Sequence, residues 1–178
     1  MKSVADFNGI KIYKLSSQAA EHYISEIIEA LDSIPKVDKH TQDDVLLEYN
    51  SKRRMHQKWN HSFIALTDSG EFAGVVIGYE REKEENNQYP ENCIYLSELA
   101  VAEAFQKKGL GKFLLTTWLS ENRKIGFIDL SGQLRFCIQT NKEAWNAHVQ
   151  KLYESVRFSK LSEKSYGNRT DTIYILEK

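Results

Sequence analysis

The sequence predicts an α/β domain on a mixed, largely antiparallel sheet flanked by helices. Three observations carry that prediction. Segments alternating apolar and polar residues are interleaved with segments whose apolar residues recur at helical spacing. Turn chemistry separates them, at Pro35, at Asp68-Ser-Gly70 and at the glycine pair 109 and 111. The chain has 178 residues, 41% of them hydrophobic, which supplies one core and suits a single domain over 1–178.

The elements follow in order. Ile10-Lys-Ile-Tyr-Lys14 alternates and is the first strand. Ser17 is the expected cap of a helix to about Leu31, because Tyr23, Ile24, Ile27, Ile28 and Leu31 share one face. Pro35 breaks it. Thr41-Gln-Asp-Asp44 reads as a capping box, with Asp for the usual Glu, and opens a second helix to about Trp59. Phe63 to Leu66, the Asp68-Ser-Gly70 turn and Phe72 to Tyr79 read as a hairpin. The stretch 81–92 is charged, contains Pro90 and reads as a loop. Cys93 to Val101 is a strand. Leu110, Phe113, Leu114 and Trp118 repeat as a helix. Leu134 to Ile138 is a strand, Lys142 to about Val156 a helix, and Thr172 to Leu176 a closing strand. The predicted order is βααβββαβα plus one or two C-terminal strands.

Composition excludes several classes. Lys+Arg 24 against Asp+Glu 25 gives a net charge of −1, so no nucleic-acid partner is expected. No apolar run has membrane-spanning length, and Met-Lys-Ser-Val-Ala-Asp lacks the apolar segment of a signal peptide. The expectation is a cytoplasmic protein with no membrane partner, monomer or homodimer. Cys93 and Cys137 are read as small buried hydrophobes without a base partner. The histidines, at 22, 40, 56, 61 and 148, form no metal signature and are read as surface or satisfied side chains, so no metal is expected. No Gly-x-Ser-x-Gly elbow supports a hydrolase, and no Gly-Lys-Ser/Thr ends the glycine loop as in a Walker loop.

That glycine loop is the most informative stretch. In Glu98-Leu-Ala-Val-Ala-Glu-Ala-Phe-Gln-Lys-Lys-Gly-Leu-Gly-Lys112 a strand leads through two glycines into an amphipathic helix. First-turn N–H groups lack intrahelical partners and lie at the positive end of the helix dipole. Gly109 and Gly111 allow a sharp turn and close approach of a ligand to the backbone. Lys107, Lys108 and Lys112 add positive charge. The loop therefore suits a pyrophosphate.

Gln106-Lys-Lys-Gly109-Leu-Gly111, placed after the fourth predicted strand, resembles the acyl-CoA pyrophosphate loop of the GNAT superfamily of N-acyltransferases. Downstream, Asn146 precedes Tyr153 by seven residues and Phe158 follows by five, similar to that family's second motif, although Arg157 replaces its glycine. Asn141-Lys-Glu-Ala144 also resembles the family's Asn-x-x-Ala helix start, twelve residues before Tyr153, so Asn141 and Asn146 both stand as cofactor-facing candidates.

The resemblance implies an N-acetyltransferase. An acetyl group passes from acetyl-CoA to a primary amine of a small molecule or peptide by direct attack in a ternary complex. It places the backbone of Leu99, Ala100 and Val101 along the pantetheine arm. The loop residues Gln106, Lys107, Lys108, Gly109, Leu110, Gly111 and Lys112 come around the phosphates. Tyr153 becomes the candidate acid for the departing thiolate; spacing alone favours a helix tyrosine with its ring in the core, and the resemblance reverses that preference. Glu98, mid-strand among apolar residues, is the candidate base, with a salt bridge as its other reading and Glu80 and Glu48 as alternatives. Acidic side chains on the two first helices and on 81–92 either rim a site for a cationic amine or form a solvated surface. The competing function is a non-catalytic acyl-CoA-binding or regulatory module on the same fold.

Overall fold

The computed structural model describes residues 2–34, 39–49, 55–81, 92–125 and 134–177. Thirteen helices and strands of regular type are found among them. In chain order they are β1 (Ser3–Phe7), β2 (Ile10–Lys14), α1 (Ser17–His22), α2 (Ile24–Asp32), α3 (Gln42–Leu46), β3 (Phe63–Thr67), β4 (Phe72–Arg81), β5 (Cys93–Val101), α4 (Leu110–Ile125), β6 (Arg135–Asn141), α5 (Ala147–Ser155), β7 (Ser159–Tyr166) and β8 (Arg169–Glu177). The strands form one mixed sheet in the order β1-β2-β3-β4-β5-β6-β8-β7. Only β5 and β6 run parallel; the other neighbours are antiparallel. The predicted fold class therefore holds.

Local chemistry explains where the elements differ from expectation. A strand precedes the predicted first one, because Asn8 and Gly9 take φ of 52° and 83° and close a two-residue hairpin. The first helix is divided at Tyr23, and its cap is Ser16 rather than Ser17: Ser16 Oγ accepts from Ala19 N–H at 3.2 Å. The Thr41–Asp44 capping box is present, but α3 ends at Leu46 instead of running to Trp59. Lys58 is fully buried, and its ammonium donates to the carbonyls of Val45 and Leu47 at the end of that helix. The last helix begins at Ala147, after a single turn at Ala144–Asn146. Most of the predicted 81–92 loop lies outside the described residues.

Two apolar layers cover the sheet. On one face α4 and α5 bury Leu114, Trp118 and Tyr153 against Val76, Leu96, Ile138 and Tyr174. On the other, α1, α2 and α3 bury Ala20, Ile27, Leu31 and Val45 against Val75, Ile77 and Ala100. A smaller cluster around Tyr79, Tyr95, Cys137 and Ile173 is separate from both. Both cysteines are buried and free, and burial pushes the Cys93 thiol further up. No helix among the described residues is long and apolar enough to cross a membrane.

Candidate active site

Two irregularities in β5 create the site. The first is a bulge. Ile77 pairs with Glu98 but Gly78 pairs with Leu96, so Ser97 is the extra residue. A bulge shifts the in–out alternation by one. Leu96 and Leu99 pack against the α4–α5 layer, whereas Ala100 packs against the α1–α3 layer. Glu98 reaches His40, in the segment between α2 and α3, on that second side.

The second irregularity is a separation. Strands β5 and β6 pair only through Ile94–Phe136, Tyr95–Cys137 and Leu96–Ile138. Beyond Leu96, β5 keeps its partner β4, and β6 follows β8 to Asn141. Leu99, Ala100 and Val101 thus border a gap on their β6 side.

The glycine loop stands beside it. Gln106 Nε2 donates to Val101 O at 2.9 Å and ties the loop to the end of β5. Lys107 and Gly109 make the turn, with φ of 60° and 89°. Gly111 does not share that conformation; it lies in the first turn of α4. A Cβ on Gly111 would meet Val101 Cγ2 at 3.7 Å, an ordinary contact, so the free fold has room for it. Phe113 N–H to Gly109 O, 3.1 Å, closes the first helical turn. The N–H groups of Leu110, Gly111 and Lys112 precede it, at the helix start where donors lack intrahelical acceptors. Lys108 folds back onto Ala104 O at 2.8 Å, which leaves Lys107 and Lys112 as the outward charges of the loop.

Tyr153, on α5, is buried in the α4–α5 layer that covers one face of the sheet. Its ring packs 6.2 Å from Phe158 and 6.1 Å from Tyr174, and it is 5% exposed. Its pKa is raised strongly, first by burial and then by the charges of Glu98 and Tyr174, so the phenol keeps its proton. Glu98 reaches toward His40, whereas the Tyr153 ring packs within the α4–α5 layer.

Both candidate asparagines belong to the β6–α5 junction. Asn141 Oδ1 accepts from Glu143 N–H at 2.7 Å. Asn146 Nδ2 donates to Thr140 Oγ1 and to Asn141 O, each at 2.7 Å. These bonds shape the turn from β6 into α5.

The sequence reading missed two residues. His40, taken as an ordinary satisfied histidine, is held by Asp32: its backbone N–H and its Nδ1 both lie 3.0 Å from Asp32 Oδ1. Those bonds, backbone first, lower the Asp32 pKa, with Lys39 adding a smaller effect. His40 Nε2 lies 3.9 Å from Glu98 Oε2, and Ser97 Oγ donates to Glu98 Oε1 at 3.0 Å. Nothing in the spacing of residues 32, 40 and 98 announces this; only the fold joins them. Of the alternatives to Glu98, Glu80 is engaged by buried His61 at 3.1 Å, and Glu48 lines a cleft with Tyr49, Met55, His56 and Gln57. Among the described residues no group of three potential ligands suits a metal ion.

The profile of the GNAT acetyltransferase family matches residues 24–156. The chain belongs to that family. The match spans the bulged strand, the glycine loop and Tyr153. No curated protein sequence matches significantly. Solved structures similar to it include the ribosomal-protein-S18-alanine N-acetyltransferase of Escherichia coli, 18% identical, with TM-score 0.65 over 94% of this chain and 93% of that one. The yncA protein of Salmonella typhimurium, with its cofactor acetyl-CoA, is also 18% identical, with TM-score 0.65 over 96% and 94%. Arabidopsis thaliana Naa50, in complex with the bisubstrate analogue CoA-Ac-MVNAL, is 12% identical, with TM-score 0.61 over 94% and 98%. At these identities the likeness is one of fold.

Proposed function

We propose that this protein is an acetyl-CoA-dependent N-acetyltransferase that acetylates a primary amine of a small molecule or peptide. The observation that carries the reading is the separation of β5 from β6 beyond Leu96, beside the strand end that Gln106 ties to the glycine loop; the reading sets Glu98 and Tyr153 at that gap. The diphosphate sits on the first-turn N–H groups of α4, with Lys107 and Lys112 adding charge. Pantetheine lies in the gap as an added strand against Leu99, Ala100 and Val101. Asn141 and Asn146 hold the far wall. The acetyl-CoA complex of the yncA protein and the bisubstrate complex of Naa50 support that cofactor class.

The chemistry follows from charge. An ammonium has no lone pair, so the acceptor must lose a proton; Glu98 takes it. The free amine attacks the thioester carbonyl, and a β5 backbone N–H polarises the developing oxyanion. As the C–S bond breaks, the thiolate takes a proton from Tyr153, and the second proton lost by the nitrogen, cationic once its C–N bond has formed, restores the phenol. Burial penalises both anions, so desolvation of the phenol does not by itself oppose that transfer.

A thermal melt with and without acetyl-CoA tests the cofactor half. At 100-fold over its dissociation constant the ligand adds about 2.7 kcal/mol by mass action. Gly111→Val removes the shift and keeps the free fold, because its side chain crowds the diphosphate and not the apo core. No shift at millimolar acetyl-CoA in the parent protein refutes the reading.

A further inference from the structure

The amine's proton needs a way out after Glu98, and Asp32 and His40 lie beside that carboxylate. Asp32, at the end of α2, is kept ionised by its bonds to His40. An ionised carboxylate only accepts, so His40 Nδ1, 3.0 Å away, carries the ring proton. In the neutral ring Nε2 is then a bare lone pair. It faces Glu98 Oε2, another acceptor, at 3.9 Å. That distance is too long for a direct hydrogen bond and fits a proton carried between the two by a water. The side chains of Asp32, His40 and Glu98 are 17%, 14% and 20% exposed, so the chain reaches solvent at its far end. The charged groups facing His40 among the described residues are Asp32, Glu98 and, through Asp32 Oδ2 at 3.4 Å, Lys39.

We propose that Glu98 passes the acceptor's proton to His40, and that Asp32 is the positioning residue fixing the ring with Nε2 toward the site. The inference rests on the acetyltransferase reading. The ammonium N–H bond breaks and a Glu98 O–H bond forms, leaving the amine its lone pair. The Glu98 O–H then breaks as its proton moves through the water to Nε2. The imidazolium, paired with ionised Asp32, releases that proton to solvent and resets. No other group is consumed, and Tyr153 serves only the thiolate.

Two measurements on the full chain test it. Ring ¹⁵N chemical shifts of the neutral His40 read the tautomer without turnover. The proposal requires the proton on Nδ1 in the parent protein and its release from that position in Asp32→Ala, which leaves no acceptor there; a proton on Nε2 in the parent overturns it. The second is a pH profile of amine-dependent thiol release. His40→Gln lowers kcat/KM about 10²-fold near neutrality, and high pH restores much of it because solvent then supplies free amine. Asp32→Asn gives a smaller loss of the same shape. The acetyl-CoA melt shift is retained in both, which separates the effect from misfolding. A parent protein active on an amine with His40→Gln unchanged overturns the relay and leaves the acetyltransferase reading standing. A parent protein that binds acetyl-CoA and releases no thiol with any amine overturns that reading, and the relay with it.

Discussion

Two histidines in this molecule are held in nearly the same way, and their difference separates architecture from chemistry. His61 places Nδ1 2.5 Å from Asn122 Oδ1 and Nε2 3.1 Å from Glu80 Oε1. His40 places Nδ1 3.0 Å from Asp32 Oδ1 and Nε2 3.9 Å from Glu98 Oε2. Each ring lies between an orienting oxygen and a strand glutamate. His61 is fully buried, and Asn122, which also donates to Trp118 O at 2.8 Å, is a neutral orienter. Its backbone carbonyl accepts the Trp118 indole N–H at 2.7 Å. That arrangement is closed by direct contacts and serves the packing of α4 on the sheet. The His40 arrangement has a charged orienter, a partly exposed ring and a longer separation, 3.9 Å, from its glutamate.

The comparison breaks most sharply at Tyr153, the proposed acid. Tyr153→Phe keeps the ring's packing and removes the hydroxyl. The expected loss in kcat is about 10²–10⁴-fold, with acetyl-CoA affinity nearly unchanged. Steady-state kinetics beside the melt shift check this; parental turnover makes Tyr153 a core residue and moves the acid elsewhere.

On the closed side the effect is on stability. His61→Ala leaves Asn122 Oδ1 without its buried partner and opens a cavity, while the residue 61 carbonyl still accepts the Trp118 indole N–H. A loss of about 3 kcal/mol in urea unfolding is expected. His40→Gln, half-way to solvent, changes the unfolding midpoint far less. Equal destabilisation by the two substitutions collapses the distinction between them.

Glu98→Gln sharpens the open side. It keeps the shape and removes the basicity. The rate falls most below the acceptor amine's own pKa, and high pH partly rescues it. A uniform loss across the pH profile makes Glu98 a positioning group instead.

The distinction between backbone and side-chain features also explains what the sequence could convey. The glycine loop was legible because its function resides in the backbone: Gly109 needs its positive φ, and the helix start follows from local pattern. The strand 93–101 and the hairpin at Asp68-Ser-Gly70 were legible for the same reason, since alternation and turn chemistry are local. The first strand was missed although Asn8-Gly9 is a strong hairpin signal, because its alternation is short and ends in a polar N-terminal stretch. The bulge at Ser97 was not legible. It depends on register against β4, and it decides which face Glu98 serves. Asp32 and His40 were invisible as a pair, because they meet only when the chain returns after Pro35 and reach Glu98 from another element.

The smallest expected effect is on acid stability. The folded pKa of Asp32 is lowered by the His40 bonds, so the folded state favours its ionised form. That contribution is fully present above the ordinary carboxylate range and is lost as pH falls through the lowered pKa. Urea midpoints measured from pH 7 downward contain this slope in the parent protein and lack it in Asp32→Asn. An identical acid slope in the variant contradicts the assignment.

Amine-dependent thiol release from acetyl-CoA is the most direct measurement of the account. The parent protein, given acetyl-CoA and a panel of polyamines, aminoglycosides and peptides with free N-termini, is predicted to release thiol only when an accepted amine is present, with the amine gaining the mass of one acetyl group. Acetyl-CoA binding with no thiol release on any amine contradicts it and leaves a cofactor-binding module on the same fold.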